Sequence, residues 1–594
     1  MRALALSFTP SRATLAPAAL PLLGAALATA LFVALLGGDL SLLSTMLGDS
    51  DDAVRLVAVR ELLAGAPWFD TTLPRIGAPE PLLSHWSRLI DLPLALSIGA
   101  LSPVLGPERA ELVTRIGWPV LLFFALLLVM AREAQRRAGT WGAAFAIALA
   151  LTCATALVQF KPGRIDHHNA QVLCAVAGVL FLARSFAEPR AGWIAGVLLG
   201  LGLAVGYEAI VLVVPAIGIA ALVALWRPRE HAGVANALLA LAAALAAAYA
   251  ATVPPSRWLD VRCDALSLNL VVLAAFGAGG LWAAIRYAGC ASFALRLAIA
   301  GAGAAAGAVA FGALEPACLA GPFGQVNPEL KAIWLDEVLE LKSVAWLAAR
   351  HPAAALTFVA FAVAGAGAQI DLWRKDRDAG SAFLAVMVVL AVLLGCWQMR
   401  LMSYASWLAI LPLAVLCARL DGTAAVSTPL VRVAAVLLLN QVTLGAAAEA
   451  AVSVTRSVAP SPAAVSAGEA GVGPACAASP AVRRLAALPP GLVAADLDLG
   501  PYIVANTAHR VVAAPYHRLD KGILANEHIF AGPAAGAETW LRSLGADYVV
   551  LCVPAGAGRP GSLREALLKG EVPTYLRAIE LPGTSAIRAW RVVR

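Results

Sequence analysis

Apolar runs of 16 to 22 residues recur through the first 450 positions of this 594-residue chain, and they limit its possible folds more than any other feature. As helices, runs of that length can cross a hydrocarbon layer of roughly 30 Å. The mean hydropathy is +0.79. Only 14% of the residues are charged, too few to cover the surface of a soluble protein of this size. The sequence therefore predicts an α-helical polytopic membrane protein.

About thirteen membrane-spanning helices are predicted. They lie near residues 17–37, 113–131, 141–159, 169–186, 191–206, 209–226, 233–252, 266–285, 296–313, 352–370, 382–396, 403–418 and 429–448. Ala and Gly are abundant in these runs, as close packing of helices in lipid requires. The first run has no small-residue cleavage site followed by polar sequence, so we interpret it as a retained span. Residues 92–105 are apolar but short and hold two prolines, which favours an interfacial or re-entrant helix.

The connections between the spans form two sets with different charge. Short, mostly basic connections are typical of the cytoplasmic face. They cover residues 131–137, 184–190, 226–229, 286–296, 371–377 and 419, and Arg2 and Arg12 precede the first span. The long segments 38–112, 314–351 and 449–594 belong to the other set. We therefore expect a protein of the bacterial inner (plasma) membrane with a cytoplasmic amino terminus and an outward carboxyl-terminal part.

Three regions follow from this pattern. Residues 1–450 form the membrane domain, and residues 451–478, rich in Ala, Ser, Pro and Gly, form a linker. Residues 479–594 are predicted to form a small extracytoplasmic α/β domain, because short apolar stretches alternate there with helical patterns. The apolar stretches are 491–495, 510–514 and 547–551, and the helical patterns are 537–544 and 562–569.

Charge and cysteine usage exclude some functions. The net charge of +7 is dispersed among short loops, which argues against a nucleic-acid partner. The nine cysteines show no metal-binding spacing. The pairs Cys263–Cys318 and Cys476–Cys552 fall in predicted extracytoplasmic segments. Either pair can form a disulfide if that compartment is oxidising.

The first group of chemically informative residues is Gly48-Asp-Ser-Asp-Asp52, directly after the first span. Three carboxylates within four residues repel one another unless a cation or a proton intervenes. Oxygen-rich clusters of this kind suit Mg²⁺ or Mn²⁺, so Asp49, Asp51 and Asp52 are candidate ligands. The alternative is a solvated acidic turn that caps a helix starting near Ala53.

A second group, Lys161-Pro-Gly-Arg-Ile-Asp-His-His-Asn169, lies between the third and fourth spans, on the same predicted side. Asp166 and His168 can both ligate one metal ion. Ionisable residues at membrane depth are costly and usually mark a site. We therefore prefer a functional interpretation of this motif over a structural one.

Two further groups share that side. The segment 327–340 contains Glu337 and Glu340, whose carboxylates either hold an acceptor or face solvent. Arg400 closes the eleventh span, where a guanidinium can bind a phosphate through two parallel hydrogen bonds. The alternative for Arg400 is an ordinary anchor at the membrane interface.

The order of these motifs resembles the catalytic subunit of oligosaccharyltransferase and its single-subunit bacterial and archaeal relatives, in the glycosyltransferase C superfamily. The resemblance covers most of the chain in architecture, thirteen spans included, but only a few dozen residues in motif. It implies that a divalent metal is bound by Asp51 or Asp52, or in another register by Asp49. It implies that Asp166 and His168 complete that metal site.

The same resemblance assigns two more roles. Glu337 or Glu340 is similar to a glutamate of the long outward loop that contacts the acceptor. Arg400, in Met399-Arg-Leu-Met-Ser-Tyr404, is similar to the arginine that binds the lipid pyrophosphate. The partners implied are a polyprenyl-linked sugar donor, membrane lipid and an extracytoplasmic acceptor.

The chain departs from the family in one motif. The family's soluble domain begins with Trp-Trp-Asp-Tyr-Gly, which binds the Ser or Thr of a glycosylation sequon. Here the stretch is Asp496-Leu-Asp-Leu-Gly-Pro-Tyr-Ile503, in which Asp498 and Gly500 match while both tryptophans and the tyrosine are missing. We therefore expect an acceptor other than a sequon, such as a lipid, a lipopolysaccharide core or a polysaccharide. The nearby segment 514–518 either lines the acceptor side or is a strand-to-loop corner.

These expectations describe a glycosyltransferase of the cell envelope that uses a polyprenyl phosphate-type donor. The main alternative is a transporter or flippase of a lipid-linked or anionic substrate. Transporters place charged residues near the midplane and commonly contain inverted repeats. No repeat is visible, and Tyr207-Glu208 is the only acidic pair between two close apolar runs. A membrane scaffold without catalysis is the third possibility, and it predicts that the acidic groups are scattered in space.

Overall fold

The computed structural model describes residues 19–35, 42–44, 46–228, 230–458, 474–556, 558–583 and 586–593. The basic amino terminus and residues 459–473 of the predicted linker lie outside these ranges. A long helical bundle makes up the first part of the chain, and a small mixed sheet makes up the last part.

Each predicted span overlaps a helix of the described chain. The longer helices are Leu20–Leu35 (α1), Ser50–Leu63 (α2), Arg88–Leu105 (α3), Pro107–Leu151 (α4), His168–Ser185 (α5), Pro189–Val205 (α6), Ile210–Trp226 (α7), Ala232–Thr252 (α8), Leu268–Arg286 (α9), Phe293–Leu314 (α10), Pro352–Asp376 (α11), Ala379–Trp397 (α12), Met402–Arg419 (α13), Thr428–Leu439 (α14) and Gln441–Val458 (α15). Shorter helices occupy Ala154–Leu157, Pro328–Ile333 and Val344–Arg350.

The predicted spans differ from separate, straight helices at two places. Helix α4 contains the second and third spans and is interrupted at Ala138 and Gly139, whose backbone is not helical. At Gly139 φ is +64°, a conformation that glycine adopts without strain. The thirteenth span is a pair, α14 and α15, bent by 55°.

Length and composition make the described chain a multi-pass membrane protein. Nine helices are long and apolar enough to cross a bilayer, or ten if the bent pair is one span, while α1 and α6 are shorter apolar helices. Helix α10 has only Arg296 and Gly307 buried among its 22 residues, so its remaining surface is suited to contact lipid. The predicted fold class is confirmed.

Small residues set the helix spacing where the sequence predicted close packing. A methyl group added to Gly280 of α9 would lie 2.9 Å from the Cα of Gly303 of α10, too close for two carbon atoms. Larger side chains at either position would push these helices apart, so the backbones are in direct contact.

The segment with two prolines, residues 92–105, lies within α3. By length and composition α3 also qualifies as a span. However, its buried Ile90, Leu94 and Ile98 belong to the hydrophobic cluster of α2 and the carboxyl-terminal domain, and not to the cluster of the main bundle. This packing favours the predicted interfacial or re-entrant helix.

The carboxyl-terminal domain is a five-stranded mixed sheet with helices. Its strands are Leu492–Ala495 (β3), Arg510–Val511 (β4), Tyr548–Cys552 (β5), Leu576–Ile579 (β6) and Ile587–Val592 (β7), in the spatial order β4-β3-β5-β7-β6. Strand β3 is parallel to β4 and β5, and β7 is antiparallel to β5 and β6. The helices are Gly500–Asn506, Asp520–Phe530, Ala534–Leu544 and Leu563–Lys569. The three predicted strands and both predicted helices are present.

The first long loop is attached to this sheet. It forms a two-stranded ribbon from Thr72–Leu73 (β1) and Leu82–Leu83 (β2). The backbone N–H of Gly77 donates to the carbonyl of Val511 at 2.9 Å, and the N–H of Val511 donates to the carbonyl of Arg75 at 3.0 Å. The loop thus extends the edge of the sheet beyond β4 and holds the domain against the bundle.

Both cysteine pairs that the sequence singles out are disulfides in the structure. Cys263–Cys318 joins the segment after α8 to the segment after α10. Cys476–Cys552 joins the beginning of the carboxyl-terminal domain to β5.

Candidate functional site

The acidic motif after the first span folds into the start of α2. Asp49 is the residue that caps this helix, and its carboxylate accepts the N–H groups of Asp51 and Asp52 at 3.0 and 3.1 Å. The Asp52 carboxylate accepts the N–H of Asp49 at 2.9 Å in return. Position 48, directly before Asp49, requires glycine, because a Cβ there would overlap the Asp52 carboxylate. The predicted alternative, a helix-capping turn, therefore describes Asp49, while Asp52 is almost completely buried.

Asp52 connects this turn to the second motif. Its carboxylate accepts the backbone N–H groups of Ile165 and Asp166 at 2.6 and 3.0 Å. The guanidinium of Arg164 pairs with Asp49 and Asp166 and lies 3.4 Å from Asp52. Arg164 thus supplies positive charge between these three carboxylates, and the contacts of Asp49 and Asp52 hold the two loops together.

The other predicted ligands form a separate group. Asp51, Asp166 and His168 each offer one ligand atom, and these atoms lie within 4.8 Å of one another. The N–H of His168 donates to the Asp166 carboxylate at 3.0 Å, which orients that carboxylate at the start of α5. Residues more than a hundred positions apart thus converge, as a common cation site requires. A second group, Asp49, Asp52 and Asp166, also meets this distance, but it is the one that Arg164 occupies.

The negative charge of Asp51 is poorly compensated within this group. Burial, together with the charges of Asp166 and Glu340, raises the pKa of the Asp51 carboxyl to about 7, although the charge of His168 and the hydrogen bond from Tyr516 lower it. A carboxyl group in this state takes up a proton or a cation. Burial by itself would raise the pKa of Asp166, but the charges of Arg164, His168 and His167 and the hydrogen bond from the N–H of His168 together outweigh it and leave that pKa below its usual value.

The carboxyl-terminal domain contributes a side chain to the group. The Tyr516 hydroxyl donates to the Asp51 carboxylate at 2.9 Å. Its ring meets the edge of Trp86, at 5.3 Å between centroids, and Trp86 in turn lies 6.0 Å from the His167 ring. The segment 514–518 is therefore part of the wall of the site, and Tyr516 and Trp86 cover it on that side.

Replacing Tyr516 with Phe is expected to reduce turnover about tenfold, since a hydrogen bond to a charged group contributes roughly 1.5–3 kcal/mol. The turnover number and the Michaelis constant of the sugar transfer that the resemblance implies measure the effect separately. Tyr575→Phe is a matched control, because its hydroxyl bonds the carbonyl of Ala534 elsewhere in the same domain. Equal turnover in the Tyr516→Phe variant and the wild type would show that the Tyr516 hydroxyl does not contribute to the site.

A polar network extends from His168 into the bundle and reaches Arg400. The rings of His168 and His167 are 4.3 Å apart, and His167 Nε2 lies 3.4 Å from the Glu208 carboxylate. Arg400 Nη1 lies 3.8 Å from Glu208 on its other side. In the described part of the chain, the buried Nε of Arg400 has no hydrogen-bond partner. Arg400 can thus bind a further anion beside the acidic group.

The structure separates the two acceptor candidates. Glu337 is exposed and lies 3.5 Å from Lys342 at the surface. Glu340 is partly buried, and its charge raises the pKa of Asp51. Only Glu340 is therefore coupled to the candidate metal ligands.

The stretch that corresponds to the sequon motif is occupied by contacts inside its own domain. The Asp496 carboxylate pairs with Arg564 and accepts the N–H of Cys552 at 2.6 Å. Burial and the charge of Asp496 raise the pKa of Asp498 to about 6. The following helix, Gly500–Asn506, packs on α2, where Arg60 donates to the carbonyl of Ala505 at 2.6 Å.

Sequence reasoning did not assign three residues of this site. Arg164 stands inside the second motif, where its charge next to Asp166 was the available signal. Glu208 appeared only as an acidic pair between two spans, and nothing in its spacing indicated contact with Arg400. Tyr516 lies in the segment that the sequence predicts either to line the acceptor side or to form a strand-to-loop corner, and nothing in the sequence indicated its contact with Asp51.

No protein-family model matches this sequence. No curated protein sequence matches it either. Solved structures do match. The archaeal oligosaccharyltransferase AglB from Archaeoglobus fulgidus, in complex with an inhibitory peptide and a dolichol-phosphate, has a TM-score of 0.65 at 14% identity, over 94% of this chain and 72% of that chain.

Two other structures of the Archaeoglobus fulgidus oligosaccharyltransferase are similar. One, tethered with an acceptor peptide containing the NVT sequon, has a TM-score of 0.60 at 14% identity, over 96% of this chain and 74% of that chain. The other, a complex with Zn and sulfate, has a TM-score of 0.57 at 14% identity, over 91% of this chain and 69% of that chain. The predicted resemblance is confirmed at the level of the fold: this chain has the polytopic membrane fold of the archaeal oligosaccharyltransferase.

Proposed function

We propose that the protein is a membrane glycosyltransferase that moves a sugar or glycan from a polyprenyl phosphate-type lipid to an acceptor on the outer side of the membrane. The observation that carries the proposal is the convergence of Asp51, Asp166 and His168, to which Arg400 is connected through Glu208 and His167, in a chain with this fold. An outward site has no access to nucleotide sugars, which are confined to the cytoplasm. A lipid-borne donor meets that requirement.

The donor atoms are suited to a divalent metal. Two carboxylate oxygens and one imidazole nitrogen lie close enough to share an ion. Carboxylates suit Mg²⁺ and Mn²⁺, and the imidazole among them favours Mn²⁺. When bound, the ion would stabilise the negative charge of the departing phosphate as a Lewis acid. Asp49 and Asp52 support this set through Arg164 and the backbone of residues 165–166.

The reaction exchanges one bond to the anomeric carbon for another. The acceptor oxygen bonds to the anomeric carbon, the bond from that carbon to the phosphate oxygen breaks, and the lipid phosphate leaves with the electron pair. Arg400 binds the phosphate oxygens, where charge develops, and stabilisation of that charge is usually the largest catalytic effect. The acceptor proton passes to a carboxylate, and the partial exposure of Glu340 and the effect of its charge on Asp51 support this residue for that role.

The acceptor is proposed to be a lipid, a lipopolysaccharide core or a polysaccharide. Asp498 is the only acidic match to the sequon motif. Its neighbour Asp496 is held by Arg564, and no tryptophan stands in the segment 496–503 to pack on a threonine methyl group. A hydroxyl acceptor needs only the carboxylate near the anomeric carbon.

The test is cleavage of a lipid-linked donor by the purified protein in nanodiscs. We expect sugar release from polyprenyl phosphate- or pyrophosphate-linked sugars in the presence of envelope extract, loss of release with EDTA, and recovery with Mn²⁺. Mass spectrometry of surface glycans from a deletion strain identifies the acceptor. Donor that stays intact with every metal and every extract, while the protein remains folded and monodisperse, would exclude a transferase.

A further inference from the structure

A second cluster of ligand-type side chains lies outside the site described above. His85 comes from the first long loop, Asp264 from the segment between α8 and α9, and His517 from the carboxyl-terminal domain. Each residue offers one ligand atom, and these atoms lie within 4.8 Å of one another. We propose that His85, Asp264 and His517 form a zinc-type metal site that fastens the carboxyl-terminal domain to the membrane domain.

The geometry of the two histidines supports a shared ion. The rings of His85 and His517 are 4.8 Å apart between centroids. Nε2 of His517 lies 2.5 Å from the Asp264 carboxylate. Asp264 and His517 expose only 9% and 11% of their side chains. Three nitrogen and oxygen ligands thus face one another in a largely closed space.

The ion pair between Asp264 and His517 does not explain why His85 lies beside these two residues. Its Nδ1 is buried and has no hydrogen-bond partner in the described part of the chain. A buried polar atom without a hydrogen-bond partner destabilises the folded protein. Metal ligation by the neutral imidazole would use this ring, whereas a simple contact between Asp264 and His517 leaves it without a role.

The surroundings of Asp264 and His517 hold the ligands in place. Arg518 donates to both Asp264 oxygens, at 2.7 and 2.6 Å, as an outer partner of a ligating carboxylate would. The Phe323 ring packs edge-on against His517 at 5.6 Å between centroids. The residue before Asp264 is Cys263, which is fixed by its disulfide to Cys318.

The ligand chemistry differs from that of the first site. Two imidazoles and one carboxylate favour zinc or a similar transition metal over Mg²⁺, and three protein ligands leave one tetrahedral position for water. The ion would join three segments that are far apart in the chain. Because His517 follows Tyr516 directly, it would also fix the backbone that presents the Tyr516 hydroxyl to Asp51.

The test measures Zn²⁺ binding in full-length protein that carries Asp51→Ala, Asp166→Ala and His168→Gln, so that neither the first site nor the neighbouring group of His167, His168 and Glu208 contributes. We expect one equivalent of Zn²⁺ per chain by calorimetry and by metal analysis after gel filtration. Adding His85→Gln or His517→Gln should remove that equivalent. His528→Gln is the matched control, since His528 stacks on Trp540 in the same domain and is expected to leave binding unchanged. This result is independent of the proposed transferase function.

A second measurement, in which the variant gains a signal, distinguishes loss of the metal site from loss of the fold. With Co²⁺ as the probe, under anaerobic conditions and without a thiol reductant, so that the Cys263–Cys318 disulfide stays closed, His85→Cys should add a thiolate-to-cobalt absorption band in the near ultraviolet that the parent protein lacks. Absence of the band, or equal Zn²⁺ binding in the His85→Gln, His517→Gln and parent proteins, would overturn the proposal. The cluster would then be an ion-paired contact between domains.

Discussion

Replacing Asp166 with Asn is expected to reduce sugar transfer by a factor of about 10³, because stabilisation of developing charge by groups fixed in a site is commonly worth 10²–10³ or more in rate. The Asp166 carboxylate belongs to the candidate metal group and also pairs with Arg164. An amide keeps the shape but loses the charge that both partners need. Initial rates of lipid-linked donor consumption at saturating Mn²⁺ measure the loss.

The control for this variant is Asp378→Asn. Asp378 caps the start of α12, whose other end leads to Arg400, and its carboxylate accepts the N–H of Ser381 at 2.8 Å. Asn caps helices about as well as Asp, so transfer should be unaffected. Transfer by the Asp166→Asn protein at more than a tenth of the wild-type rate would place the metal, and with it the chemistry, elsewhere.

Replacing Asp91 with Leu is expected to destabilise the protein by about 3–5 kcal/mol, the usual cost of removing one partner from a buried ion pair. The Asp91 carboxylate accepts from Arg55 at 2.6 Å and from Arg88 at 3.0 Å. All three side chains expose 3% or less. The variant leaves two guanidinium groups buried without their carboxylate. Thermal unfolding in detergent micelles, followed by tryptophan fluorescence, reports the change.

An exposed ion pair serves as the comparison. Glu188 pairs with Arg136 and Arg184 but exposes 43% of its side chain. Glu188→Gln should therefore cost less than about 1 kcal/mol. If Asp91→Leu and Glu188→Gln unfold at the same temperature, the Arg55–Asp91–Arg88 cluster does not stabilise the contact between α2 and α3. Arg55 also lies over the Trp86 ring at 4.4 Å, so this cluster supports the wall of the site as well.

The helical part of the fold follows from the sequence because apolar runs of spanning length have few alternatives in lipid. Asp51, Asp166 and His168 also lie close together, since the segments that hold them connect helices of one bundle: Asp51 lies in the first turn of α2, and His168 lies at the start of α5. Helix ends on one side of a bundle must share one surface. Their roles as ligands remain predictions.

The finer assignments depend on contacts that spacing does not encode. Asp49 and Asp51 are two positions apart, yet one caps a helix and pairs with Arg164 while the other meets Tyr516. Glu337 and Glu340 differ only by their position in consecutive short turns. Strand β7 was not predicted, because Arg588 and Arg591 interrupt its apolar residues. These apolar residues become buried only when β5 and β6 pair with β7 on either side.

The hydrogen bonds between the first long loop and Val511 tie together segments that the ribosome makes more than four hundred residues apart. The bundle can insert as it is synthesised, but the pocket beside Trp86 gains its last wall only after residue 516 has emerged. The proposed site is therefore incomplete until the segment around Tyr516 has been made. A product truncated before residue 510 would reach the membrane with this pocket open on one side.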